Sequence, residues 1–203
     1  PCAPDAASIE AMDPAHHPSR FRLFDAAALD AVLERMAMQA LAVLDRRPLT
    51  IVGVLRRGAP LADLLAERVR RLAPWLDVQR TDLRVKRYGD DLALLHPDTS
   101  LTPTPEQVAA DFSARQVVVV DDVLYQGYSV FRVLEFLRGQ QAASVHVAVL
   151  VDRCAQRLPL RADIVGLTLQ IAPEDVIECN VPPFEEVFAV DVWRPLAEAG
   201  PAP

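Results

Sequence analysis

Two stretches of this chain are apolar almost without a break, Leu49–Leu55 and Val117–Val120, and a third, Ser144–Val151, joins them with only Ser144 and His146 polar. Strands of this kind have both faces buried, as in a parallel sheet covered on each side. Between them the period changes to that of helices. A helix is predicted from Asp25, whose carboxylate can cap it, with Phe24 as the staple residue. Leu29, Val32, Leu33, Met36, Ala40, Leu41 and Leu44 follow at helical spacing. A second helix is predicted from Pro60 to Leu72, with the proline in its first turn. A third runs from about Ser129 to Arg138, where Gly139 is placed to end it. Val78–Tyr88 reads as extended, with Arg80, Asp82, Arg84 and Lys86 in alternation, and shorter strands are expected near 162–167, 175–179 and 186–192. Residues 89–114 carry three prolines and little periodicity, a length of loop that usually signals function or disorder. Strands alternating with helices predict an α/β domain over residues 21–195, with a mostly parallel central sheet flanked by helices. The Pro- and Ala-rich ends, 1–20 and 196–203, read as flexible tails.

Composition narrows the picture. The 203 residues suit one domain, and 51% apolar content supplies a core without disulfides or metal. A net charge of −7 does not suggest a protein that coats nucleic acid. Cys2, Cys154 and Cys179 make neither a disulfide framework nor a zinc set, and His16-His17 reads as an exposed accident. No run of about 18 apolar residues is present and no secretory leader is visible, so the cytoplasm is the expected location and a membrane partner is not expected.

The candidate chemistry lies at strand ends. Residues 117–129 read VVVVDDVLYQGYS. Asp121 and Asp122 follow a buried strand, Gly127 makes a turn, and a helix opens near Ser129. Two carboxylates beside a helix N-terminus can hold a pair of sugar hydroxyls next to a phosphate. The plain alternative is a pair of capping aspartates on a simple strand-to-helix turn. Arg56, Arg57 and Gly58 also follow a buried strand, where guanidinium forks could meet phosphate oxygens. Lys86 and Arg87 could join them, or be solvated. Asp152 and Arg153 end the apolar strand 144–151. Cys154 has no His or second Cys paired with it by sequence and reads as a small filler rather than a nucleophile.

The stretch 117–129 resembles the ribose-phosphate loop of type I phosphoribosyltransferases. Asp121-Asp122-Val-Leu-Tyr125 is similar to the pyrimidine operon regulators of that family, which are RNA attenuators and uracil phosphoribosyltransferases. Three further stretches match in family order: Ile51–Gly58 resembles the first strand and pyrophosphate loop, Asp90-Asp91-Leu92 the start of the flexible loop, and Val147–Arg153 with Leu158–Gly166 the base-side strand and loop. The resemblance implies a central sheet with a small hood. The implied substrate is phosphoribosyl pyrophosphate carrying Mg²⁺, with no direct metal ligands from the protein. The second substrate is a nucleobase, uracil first, and the product a nucleoside monophosphate. It assigns Asp121 and Asp122 to the ribose hydroxyls and the developing positive charge, and Tyr125, Gln126, Gly127, Tyr128 and Ser129 to the 5′-phosphate. Arg56, Arg57, Gly58, Lys86 and Arg87 go to pyrophosphate, and Asp152 and Arg153 to the base side. A homodimer is the implied assembly.

There are departures. Gln126 and Ser129 replace two threonines, Tyr128 an arginine and Cys154 a glycine, and Leu55-Arg56 stands where the regulators have Lys-Thr. These favour, as the rival reading, a nucleotide-sensing regulator that has lost turnover. An enzyme of the same fold acting on another base or a phosphoribosyl-linked precursor is a third reading. RNA attenuation would need a basic face, for which Arg35, Arg46, Arg47, Arg68, Arg70 and Arg71 supply some charge.

Overall fold

The computed structural model describes residues 19–86, 100, 101, 103 and 112–194. The order of elements is β1 (Ser19–Phe24), α1 (Ala26–Val43), β2 (Leu49–Leu55), α2 (Gly58–Leu72), β3 (Val78–Lys86), β4 (Ser100–Leu101), β5 (Gln116–Leu124), α3 (Tyr128–Gly139), β6 (Ser144–Asp152), β7 (Ile164–Thr168), β8 (Val176–Asn180) and β9 (Ala189–Arg194). The expected α/β architecture is present. The main sheet has the order β4-β3-β2-β5-β6-β7. Its five strands β3, β2, β5, β6 and β7 are parallel, and the short β4 lies antiparallel on the edge.

The unbroken apolar runs are explained by cover on both faces. Ile51, Val118, Val120 and Leu150 pack with Leu29, Leu33, Met36, Leu61 and Leu65 of α1 and α2. Val52, Val54, Val117 and Val119 pack on the other side with Val133 and Leu137 of α3. Asp25 caps α1 as expected, accepting from the Ala28 N–H at 2.9 Å.

Chain direction then sets the site. From β2 the chain crosses through α2 to β3 on one side; from β5 it crosses through α3 to β6 on the other. The strand order therefore reverses between β2 and β5. At such a point the two crossovers leave the sheet in opposite directions and open a crevice beyond the carboxyl ends of the strands. Gly58 narrows this crevice. A Cβ there would stand 2.4 Å from the Val120 carbonyl oxygen and 3.2 Å from the Asp121 Cα. The first turn of α2 is thus seated directly on the end of β5.

β1, β9 and β8 form a separate antiparallel sheet, in that order. It is the hood implied by the resemblance, but β1 itself was not expected: its ladder begins at Ser19, inside the stretch assigned to the tail. Asp191 on the central strand β9 is buried. It accepts from Arg20 Nε at 2.9 Å, Arg22 Nε at 3.0 Å and Asn180 Nδ2 at 3.1 Å. On the opposite face Ile177, Cys179, Val190 and Val192 join the core under α1 and α2.

Three boundaries differ from expectation. α2 begins at Gly58, two residues before Pro60, because the Arg57 and Gly58 backbone already turns helically. α3 begins at Tyr128. It includes Gly139 as its last residue, and the positive φ beyond its end belongs to Gln141. Within 89–114, Ser100–Leu101 forms β4 and Phe112 is buried. The lid residues 90–92 and most of the two tails lie outside the described residues.

Two outcomes follow for stability. Gly58→Ala must push α2 off β5 and should cost about 1–3 kcal/mol by denaturant titration. Gly139→Ala, with nothing within 4 Å of the added methyl, should be neutral or stabilise by up to about 1 kcal/mol.

The hood gives a third. Burial pulls the Asp191 carboxyl upward, but Arg22 and Arg20 outweigh it, and its folded value is lowered. The Arg194 hydrogen bonds lower Asp175 likewise. A carboxyl lowered in the folded state contributes stability above its unfolded value, near 4, and loses it as pH falls through the folded value. Asp191→Asn should therefore melt below wild type at pH 7, and that gap should narrow at pH 3.

Candidate functional site

Both strand-end aspartates lie in the crevice between β2 and β5. β5 continues to Leu124, so they occupy the last turn of the pleat rather than the loop beyond it. Both are buried. Asp121 Oδ1 accepts from the Asp122 N–H and Asp122 Oδ1 from the Val123 N–H, each at 3.0 Å. These short-range bonds fix each carboxylate against the strand that carries it. Asp122 also adds to the field that raises the Arg57 pKa, so the two loops are electrostatically in touch.

Past Leu124 the chain turns through Tyr125, Gln126 and Gly127. Gly127 has φ +93°, a left-handed geometry that strains any side chain. α3 then opens with no side-chain cap. The first N–H groups of an α-helix lack intrahelical acceptors, and the helix dipole is positive there. This end of α3 is therefore suited to an anion. Tyr125 is held from outside the loop, with the Arg153 guanidinium 4.4 Å above its ring. Gln126 is tied through its carbonyl, which accepts from the Arg157 N–H at 3.1 Å.

A cavity of about 470 Å³ runs from the 125–129 loop past Arg153 to the start of β8. Asp175, Val176 and Ile177 of the hood complete its wall. Asp175 is clamped by Arg194 at 2.9 and 2.8 Å. The expected base-side residues divide. Arg153 lines the cavity and donates to the Ala172 carbonyl at 3.3 Å. Asp152 shapes its own loop, accepting from the Cys154 N–H at 2.7 Å and Gln156 Nε2 at 2.6 Å. Cys154 has φ +52°, which accounts physically for a glycine in similar sequences.

The arginine loop joins the crevice from the β2 side, but its cations are engaged. Arg57 donates to Glu185 Oε1 from Nη2 at 2.5 Å and from Nε at 3.1 Å. The Arg56 guanidinium lies 5.0 Å from the centre of the Phe184 ring. The Glu185 hydrogen bond raises the Arg57 pKa, against burial. Gly58 is needed for the seat on β5, a packing role distinct from close approach to a ligand. Arg80, expected only as one of an alternating set, braces this region: its Nη2 donates to the Ala59 carbonyl at 2.6 Å, and it pairs with Asp63 and Asp82 at 2.8 and 2.6 Å. Lys86 ends β3 opposite Ser100. Arg87 lies outside the described residues.

Sequence reasoning missed the hood's contribution, Phe184, Glu185, Asp175 and Ile177. The one local signal was Pro182-Pro183-Phe184-Glu185-Glu186, a rigid turn carrying an aromatic and two acids. Among the described residues no group of three or more His, Cys, Asp or Glu is arranged for a metal. No helix there is long and apolar enough to cross a membrane.

Comparison with known proteins agrees with this geometry. The chain is 36% identical over 148 residues to the bifunctional protein PyrR of Deinococcus radiodurans, covering 72% of this chain and 79% of that protein. It is 28% identical over 179 residues to the PyrR of Clostridium acetobutylicum, covering 85% and 97%. In structure it is similar to a hypoxanthine phosphoribosyltransferase of Trypanosoma cruzi, with a TM-score of 0.68 and 18% identity over 86% of this chain and 91% of the other. The family profile of the phosphoribosyl transferase domain matches residues 22–185. With its crevice between β2 and β5, its Asp-Asp strand end and its hood, the chain belongs to the phosphoribosyl transferase family.

Proposed function

We propose that the protein is a phosphoribosyltransferase joining a nucleobase, uracil in the first instance, to the ribose of phosphoribosyl pyrophosphate. The observation that carries this reading is the convergence in one crevice of the Arg57-Gly58 loop, the Asp121-Asp122 strand end and the uncapped start of α3. In this reading the three are the anchoring points for pyrophosphate, ribose and 5′-phosphate. Uracil rests on the likeness of residues 121–125 to the pyrimidine operon regulators.

In this reading a ring nitrogen of the base attacks C1 of the ribose while the C1–oxygen bond to pyrophosphate breaks, and the proton of that nitrogen is released to solvent. The bonding electrons leave with pyrophosphate, and positive charge builds on the sugar. Magnesium enters with the substrate as part of its polyphosphate. The chain's own task is to position the reactants and stabilise charge. Asp121 and Asp122 accept from the ribose hydroxyls and face the developing cation. The first N–H groups of α3, with Gly127, take the 5′-phosphate, a role that needs no threonine, so Gln126 and Ser129 are compatible with it. Arg57, with Arg56 of the same loop and Lys86 at the end of β3, receives pyrophosphate. The cavity beyond Arg153, closed by Ile177 of the hood, takes the base.

The RNA-attenuator reading is less well supported. A nucleic-acid surface needs cations available to phosphates. Arg68 and Arg71 instead pair with Asp30 and Glu34, and Arg47 pairs with Asp45. Arg35 and Arg70 donate to backbone carbonyls, and Arg46 lies over Trp75.

Nucleotide formation from phosphoribosyl pyrophosphate and Mg²⁺, screened over uracil, purines and orotate, tests the proposal. Turnover with none of these bases, alongside binding of nucleoside monophosphate, would favour the sensor. Asp122→Asn keeps the Val123 hydrogen bond but removes charge. Turnover should fall roughly 30- to 1,000-fold, about 2–4 kcal/mol in the barrier, with little change in melting temperature. Gly127→Val should abolish monophosphate binding in calorimetry, whereas Gln126→Ala should barely change it, because the anion is held by backbone.

A further inference from the structure

Two hydrogen bonds join Arg57, at the main sheet's crevice, to Glu185 of the hood connection. We propose that Glu185 is an internal substitute for the leaving pyrophosphate, holding Arg57 until substrate takes the cation away and recapturing it when pyrophosphate departs. This rests on the transferase reading and adds to it a residue that governs pyrophosphate affinity and release.

The geometry supports a substitute rather than a chance surface pair. Carboxylate and phosphate offer a guanidinium the same kind of oxygen acceptor. Glu185 Oε1 takes two N–H groups of Arg57, at 2.5 and 3.1 Å. Glu185 Oε2 accepts from the Val181 N–H at 2.8 Å, which fixes the carboxylate from the hood side. The side chains are only 33% and 20% exposed, so water screens the pair incompletely. The neighbouring Phe184 faces Arg56 at 5.0 Å. One segment of the hood connection, Val181–Phe188, therefore engages both arginines of the loop.

Glu185 occupies two of the five N–H groups of Arg57, on the Nε–Nη2 edge that offers an oxyanion a fork. A pyrophosphate that takes this edge displaces the carboxylate, and the uncompensated Glu185 charge beside it then disfavours the bound anion. The same repulsion assists departure once the glycosidic bond has formed. The hood covers Arg56 too, through the ring of Phe184.

Glu185→Gln removes the charge while its amide oxygen can still accept from Val181. Calorimetric titration of wild type, Glu185→Gln, Arg57→Ala and the double variant with magnesium pyrophosphate tests the idea. Glu185→Gln should bind about 3- to 30-fold more tightly than wild type, and that gain should vanish in the Arg57→Ala background. Unchanged or weaker binding by a folded Glu185→Gln would overturn the substitution, as would an equal gain without Arg57. Arg57→Ala binding as well as wild type would overturn the pyrophosphate role of the loop itself. Loss in Arg57→Ala with no gain in Glu185→Gln would overturn only the Glu185 role. Should Glu185→Gln fail to fold, wild-type NMR decides. The Arg57 Nε–H and Val181 N–H resonances should shift together on adding magnesium pyrophosphate, and a stationary Val181 signal would overturn the displacement.

Discussion

The seat of α2 on the end of β5 is the contact on which the site depends. Its closeness is possible because Gly58 has no Cβ, and a methyl there would meet the Val120 carbonyl at 2.4 Å. The contact joins the start of one crossover to the aspartate pair that begins the next. Without it, the reversal of strand order between β2 and β5 would still open a crevice, but its two walls would stand further apart. In the proposed reaction pyrophosphate and ribose are directly bonded, so the groups assigned to them must also be close. Arg80, partly buried behind the turn and bonded to Ala59, holds the same wall from the other side.

The hood is held by a different kind of force. Its inner face is apolar and continuous with the core, while its outer face is organised around the buried carboxylate of Asp191. Removing such a carboxylate from water is costly, and the two arginines of β1 with Asn180 offset that cost. Because β1 comes from the start of the domain and β8 and β9 from its end, this one acid closes the chain on itself. The Arg194–Asp175 clamp then fixes the start of β8, which forms the cavity wall.

The parts legible in the sequence were those whose cause is local. Val117–Val120 reads as a buried strand because every residue in it faces a helix on one side or the other. Asp121, Asp122 and Gly127 were legible because a strand end, an acid pair and a turn glycine are adjacent. The strands β8 and β9 of the hood were legible as short extended runs, but β1 was not, because Arg20 and Arg22 meet Asp191 across about 170 positions, and the alternation of Arg20–Phe24 is too short to stand out before a helix cap. The importance of Gly58 for packing was hidden for the same reason: the atom it accommodates belongs to Val120. Glu185 carried no periodic signal, and its partner Arg57 read as available for phosphate until the hood was seen to cover it.

That covering changes how the departures from similar sequences are understood. Taken one at a time, Arg56 for threonine, Gln126 for threonine and Tyr128 for arginine look like losses or gains of single phosphate contacts. In the folded chain three cations near the crevice are engaged. Arg56 lies over Phe184, Arg57 is paired with Glu185, and Arg153 stacks on Tyr125 beside the 125–129 loop. Under the proposal, anion affinity depends on how readily the hood gives up Arg57 as well as on how many cations the loops carry. The arginine loop and the acid of the hood connection then act as one device, and neither half has its meaning alone.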